Sequence, residues 1–156
     1  MWKPEEAAGF LNVLESYQGA FALMFFAGIR PGEVLRLDPK DVGDEILIRK
    51  EVSKNGRARV VTVTPNLRDW LNVYPFEGTG KHPFRKAREA ACAASGMAWV
   101  PDVPRHCFAT YAAALWGMDR TAEELGHTST VMLIRHYRGL VRNRREAARA
   151  YFRIRP

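Results

Sequence analysis

The chain has 156 residues, enough for one domain with a real core. With 47% hydrophobic and 26% charged residues it is a globular composition, not a disordered one. The formal net charge is +7, and between residues 135 and 156 eight arginines stand against one acid, Glu146, so the whole surplus lies in that stretch. A basic patch of this kind attracts phosphate polyanions. The longest strongly apolar run, Ala20 to Ile29, is too short to cross a bilayer. The N-terminus lacks the charged-then-apolar pattern of a signal peptide, so the expectation is a cytoplasmic protein. Cys92 and Cys107 read as buried thiols, and no cluster has zinc-ligand spacing.

In chain order, Pro4 to Ser16 reads as a first helix, with Pro4 in its first turn and Phe10, Leu11, Leu14 and Tyr17 on one side. Gln18 to Ile29 is apolar nearly all round and reads as a central buried helix. Gly28 and Pro31 bracket Arg30 and end it. Glu33 to Leu37 is a further short helix. Glu45 to Glu51 and Arg57 to Thr64 read as strands rich in β-branched residues, joined through Ser53-Lys54-Asn55-Gly56. Lys54 thus stands at the mouth of a β-hairpin.

Pro65 to Val73 reads as a helix, followed by a loop through Pro75, Gly78, Gly80 and Pro83. Phe84 to Ser95 and Pro104 to Trp116 are the next helices, the second ended by Gly117. Asp119 caps a short helix through Leu125, with Glu123 or Glu124 assisting from its first turns. Gly126 breaks the chain before His127. Thr130 to Tyr137 and Asn143 to Phe152 complete the helices. The fold class expected is α+β, mostly α-helical with a small antiparallel β-sheet, in a single domain over 1–156.

Displacement at a DNA phosphodiester needs a held phosphate, an in-line nucleophile and a proton donor for the leaving oxygen. Arginine forks bind two phosphate oxygens and stay charged. A tyrosine phenol, with a pKa of about 10, can form a covalent phosphoester. Lysine or histidine suits the proton transfer. Taken singly, each such residue here has a bland alternative: a solvated cap, a turn lysine, a core tyrosine.

The order of the residues weighs more. Gly28-Ile29-Arg30-Pro31-Gly32-Glu33, Ser53-Lys54-Asn55-Gly56-Arg57-Ala58-Arg59, Arg105-His106-Cys107-Phe108-Ala109-Thr110, Leu125-Gly126-His127 and His136-Tyr137-Arg138 together resemble the tyrosine recombinase (phage integrase) family over most of the chain. The resemblance implies the family's catalytic-domain fold and a metal-free, cofactor-free cleavage and rejoining of double-stranded DNA. It makes Arg30 and Arg105 the phosphate-binding arginines, His127 a hydrogen-bond donor to the phosphate, Lys54 the proton donor and Tyr137 the nucleophile. Glu33 would pair structurally. His106 and His136 are left as structural neighbours.

One position departs from the pattern. The family often has histidine three residues before the second arginine, and here Asp102 stands there. Asp102 would accept the proton from Tyr137 or buttress Arg105. Arg135, Arg138 and Arg142 are the candidate DNA contacts in the basic stretch.

Set beside the family, the expectation is a catalytic domain without the N-terminal core-binding domain, either an excised piece or a shortened gene. The segment 141–156 is expected either to pack on a neighbouring subunit, giving self-association on DNA, or to fold back through Ala147, Ala148, Tyr151, Phe152 and Ile154. The family points to a bacterial or phage protein associated with the nucleoid. Two other functions stay open: a non-catalytic DNA-binding module of the same ancestry, and strand relaxation like that of a type IB topoisomerase.

Overall fold

A computed structural model describes residues 1–126 and 144–156. The described residues are mostly helical, with a small antiparallel sheet. The expected helix over Thr130–Tyr137 lies outside them. Helix α1 (Pro4–Asn12) opens on Pro4 and is clamped where the Glu6 carboxylate accepts from the Lys3 amide at 2.6 Å. It stops short of the expected Ser16, because the chain reverses through Tyr17 in the left-handed region (φ 62°) to enter α2 (Gln18–Ala27). Every residue of α2 after Gln18 is buried, as its continuous apolar sequence requires. Gly28 ends it in a left-handed cap (φ 62°).

A short helix, α3 (Pro31–Val34), begins earlier than the sequence pattern suggests, since Pro31 presets its first turn. Strands β1 (Glu45–Ile48) and β2 (Arg59–Thr62) pair antiparallel, with Glu45 opposite Thr62 and Ile48 opposite Arg59. Both strands are shorter than expected. After Ile48 the Arg49 carbonyl accepts from the Val52 and Ser53 amides (3.0 and 2.9 Å), so the backbone coils instead of continuing the ladder. The Arg49 side chain meanwhile holds Asp41 at 2.6 Å. Asn55-Gly56 does mark a turn, closed by the Gly56 amide on the Ser53 carbonyl at 3.3 Å, with Gly56 at φ 65°.

Helix α4 (Pro65–Val73) matches its expected span. Helix α5 (Lys81–Ser95) starts before the expected Phe84 and includes Pro83 in its first turn. There the missing amide costs nothing, because the first amides of a helix have no partner within it. Helix α6 (Val103–Trp116) is followed directly by α7 (Met118–Leu125). Gly117 occupies the capping position of α7, and Asp119 lies in its first turn. Glu123 and Glu124 belong to the last turn of α7, not to its start.

Helix α8 (Arg145–Tyr151) packs on α6 and α1. Ala148 and Tyr151 are fully buried, the Tyr151 hydroxyl donates to the Phe25 carbonyl, and the Ile154 carbonyl accepts from the Trp70 indole at 3.2 Å. Between the two courses left open for this segment, the described part folds back on its own chain. One hydrophobic cluster runs from Trp2 to Tyr151, centred on α2 and lined by Phe10, Phe21, Phe25, Phe26 and Trp70. Both cysteines are unpaired. Cys107 is deeply buried, and its thiol pKa is pushed up to about 11, chiefly by that burial.

Candidate functional site

The left-handed turn at Gly28 swings the chain out of the core and delivers Arg30 at the start of α3. A side chain at Gly28 would meet the Phe108 ring, so glycine there also lets α2 approach α6. Three residues on, Glu33 is completely buried. Its carboxylate accepts a two-pronged bond from Arg59 (Nη1–Oε1 3.0 Å, Nη2–Oε2 2.7 Å). It also accepts from the Arg30 amide at 3.1 Å and the Lys54 amide at 3.4 Å, and lies 3.5 Å from Arg30 Nη1. Burial by itself would raise the pKa of Glu33. The Arg59 hydrogen bonds and charge, with the two amides, outweigh it and hold the carboxyl at about 2. The role expected of Glu33, a structural partner, matches this geometry.

Arg105 lies in the first turn of α6 and is only 7% exposed. It donates from Nη1 to the Gly28 carbonyl (2.5 Å) and from Nη2 to the Leu125 carbonyl (2.8 Å). Those two oxygens close α2 and α7, so the negative ends of two helices converge on one guanidinium. Burial, then the positive charges of Arg30 and Arg59, push the Arg105 pKa down to about 9, with Glu33 and Asp102 opposing. Arg59 and Arg30 thus meet one buried carboxylate, and the Arg105 guanidinium lies within electrostatic reach of all three. The cluster holds more positive charge than it neutralises, which favours an anion.

The sequence-predicted residues divide as follows. Arg30, Arg105 and the backbone of Lys54 come together around Glu33, and the Lys54 side chain is exposed at the rim. Asp102 is exposed and sits in the left-handed region (φ 57°) just before α6. Its side chain makes no cap hydrogen bond, and its negative charge bears on Arg105. His106 is exposed on α6. His127, Tyr137, Arg135, Arg138 and Arg142 lie outside the described residues, as does His136.

Two residues escaped the sequence reading. Arg59 shares a face of β2 with the buried Val61, and that alternation was the available signal, since an arginine on a buried strand face needs a carboxylate. Besides Glu33, Arg59 bonds the Glu124 carbonyl through Nε at 3.3 Å. Glu124 is the second. Its carboxylate accepts from the Thr62 amide at 2.8 Å and from the Thr62 hydroxyl, pinning β2 to the end of α7. No sequence signal distinguished it from any other acid near a helix end.

The Arg59 stem also lies against Gly126, where an added Cβ would sit 2.8 Å from Arg59 Cδ, and Gly126 is itself left-handed (φ 66°). Gly126→Ala is therefore expected to destabilise the chain by about 1–2 kcal/mol from the backbone conformation alone, more with the clash. Thermal unfolding checks this, with Gly56→Ala as a comparison that meets the same conformation (φ 65°) but open space.

Among the described residues no group of three His, Cys, Asp or Glu side chains is placed to hold a metal ion, and no helix is long and apolar enough to cross a membrane. No family model, curated protein or solved structure matches the chain.

Proposed function

We propose that the chain is a tyrosine recombinase catalytic domain that cuts and rejoins double-stranded DNA through a 3′-phosphotyrosyl link at Tyr137. The observation that supports this most is the gathering of Arg30 and Arg105, from segments far apart in sequence, within electrostatic reach of each other and of the buried Glu33. Lys54 is tied by its amide to that same carboxylate, and the Leu125 carbonyl just before Gly126-His127 is tied to Arg105. The resemblance by motif order and the gathering of Arg30, Arg105 and the Lys54 amide both support this reading.

In this reading Arg30 and Arg105 bind the non-bridging oxygens of the scissile phosphate. The cost of keeping Arg105 charged while buried is offset when the phosphate arrives, so affinity and charge stabilisation share one source. His127 adds a hydrogen bond. The Tyr137 oxygen gives up its phenol proton to solvent and forms its bond to phosphorus as the bond to the 5′ oxygen breaks, and Lys54 gives that oxygen its proton. A 5′ hydroxyl then attacks the phosphotyrosine, releases Tyr137 and restores the phosphodiester. The phosphodiester energy is kept in the covalent link, so the cycle calls for no nucleotide.

The test is a nicked suicide duplex, from which the cleaved fragment diffuses away and traps the covalent protein–DNA adduct for a denaturing gel. The wild-type chain is expected to form the adduct and Tyr137→Phe to form none. Duplex binding without an adduct would instead leave a non-catalytic module. An adduct that survives in Tyr137→Phe would show that another residue is the nucleophile.

Asp102 supplies a separate check. It is exposed, makes no side-chain cap bond, and sets a negative charge near the arginine cluster. Asp102→Asn keeps a residue tolerant of φ 57° and removes the repulsion of a phosphate. Duplex binding is expected to tighten a few-fold at low salt, with the gain shrinking as salt rises, and unfolding temperature to change little. A loss of adduct formation in Asp102→Asn would mean that the carboxylate takes the tyrosine proton.

A further inference from the structure

A second basic feature lies away from the arginine cluster, about 16 Å further along α6. Leu115, Trp116 and Phe152 floor a groove of about 290 Å³ between the end of α6, the start of α4 and the C-terminal segment. The Trp116 and Phe152 rings lie 5.0 Å apart, and Arg120 stacks over Trp116 at 4.9 Å. Arg149 and Arg153 stand on the rim. Arg155 also reaches the groove, but Asp69 holds it.

Charge marks what this groove fits. Arg145, Arg149 and Arg153 follow one another at four-residue spacing, all exposed, and none has a carboxylate partner among the described residues. Arg145 and Arg149 lie on α8, where like charges at this spacing oppose the helix. The chain could have relieved the repulsion with acids and instead offers Glu146 alone in that stretch. Aromatic rings beside arginines are the composition of protein-binding centres. A DNA backbone would satisfy the rim but has no apolar knob for the floor.

We propose that this groove docks an acidic protein segment that carries an apolar anchor, with the anchor against Trp116 and Phe152 and its carboxylates on Arg149 and Arg153. The proposal does not depend on Tyr137 chemistry. It predicts a protein partner for a face remote from the phosphate-binding arginines.

The experiment is fluorescence anisotropy of the full chain with a short, labelled, glutamate-rich peptide bearing two leucines four residues apart. Saturable binding is expected. Replacing both leucines by serine should weaken it about tenfold, and so should Arg149→Glu combined with Arg153→Glu. Circular dichroism and unfolding temperature should show the double variant folded, since both side chains are exposed. No saturable peptide binding, or equal binding by the serine peptide or the folded double variant, overturns the proposal. So does a double variant that keeps the peptide but loses a short duplex, which would assign the face to nucleic acid.

Discussion

Arg105→Lys is expected to slow adduct formation on the nicked duplex by about 10²- to 10³-fold, the range for losing one preorganised charge donor, while leaving a folded protein. Lysine keeps a positive charge, so a purely electrostatic role would survive the change. It lacks the planar fork that spans the Gly28 and Leu125 carbonyls. One compact ammonium cannot join the ends of α2 and α7 and still present a fixed edge to a phosphate.

The expected loss is therefore in rate at saturating DNA more than in affinity. Single-turnover rates measured across DNA concentrations separate the two. A variant that binds weakly but reacts at the wild-type rate once saturated would place Arg105 in binding alone. Some stability should also go, because two helix-end carbonyls in a buried setting lose a charged donor.

The second large effect is expected at Glu33, in stability and not in chemistry. Glu33→Gln preserves shape but removes the charge that faces Arg59, Arg30 and Arg105 in a buried setting. Breaking one side of a buried ion pair costs about 3–5 kcal/mol, which for a chain of this size lowers the unfolding temperature by roughly 10 °C.

The pH dependence has a definite sign. Glu33 titrates at about 2 in the folded protein against an ordinary value of 4.5. Its contribution, about 3 kcal/mol, is therefore fully present above pH 4.5 and is lost as pH falls from there toward 2. Urea unfolding of the wild type between pH 5 and 2.5 should show this acid limb, and Glu33→Gln should flatten it. An unchanged acid limb in the variant would mean that other carboxylates carry it. Loss of adduct formation by Glu33→Gln at a temperature where it stays folded would add a positioning role to the structural one.

Much of the fold was legible because local rules happen to decide it. The all-apolar run after Gln18 could only be a buried helix, and Gly28, Gly96, Gly117 and Gly126 each end a helix with positive φ, as glycine punctuation implies. The β-branched residues around Ile46 and Val61 marked the two strands, with Ile46, Ile48 and Val61 buried. Element ends were less legible. Strand β1 stops at Ile48 because of a carbonyl shared by two amides, and α5 tolerates Pro83 because of where that residue falls in the turn. Both depend on the bonding of neighbours, which composition does not display.

Residue order along the chain was sufficient to nominate Arg30, Lys54 and Arg105 and to mark Glu33 as their companion. That nomination came through the resemblance to the tyrosine recombinase motifs, since the chemistry itself sets no order along the chain. Only tertiary packing decided that Arg59 takes the carboxylate of Glu33 and that Glu124 ties β2 to α7. A guanidinium selects its partner by distance through space, and burial makes that choice costly to reverse. The string of residues records which charges exist, whereas the fold alone sets which of them meet without water between them.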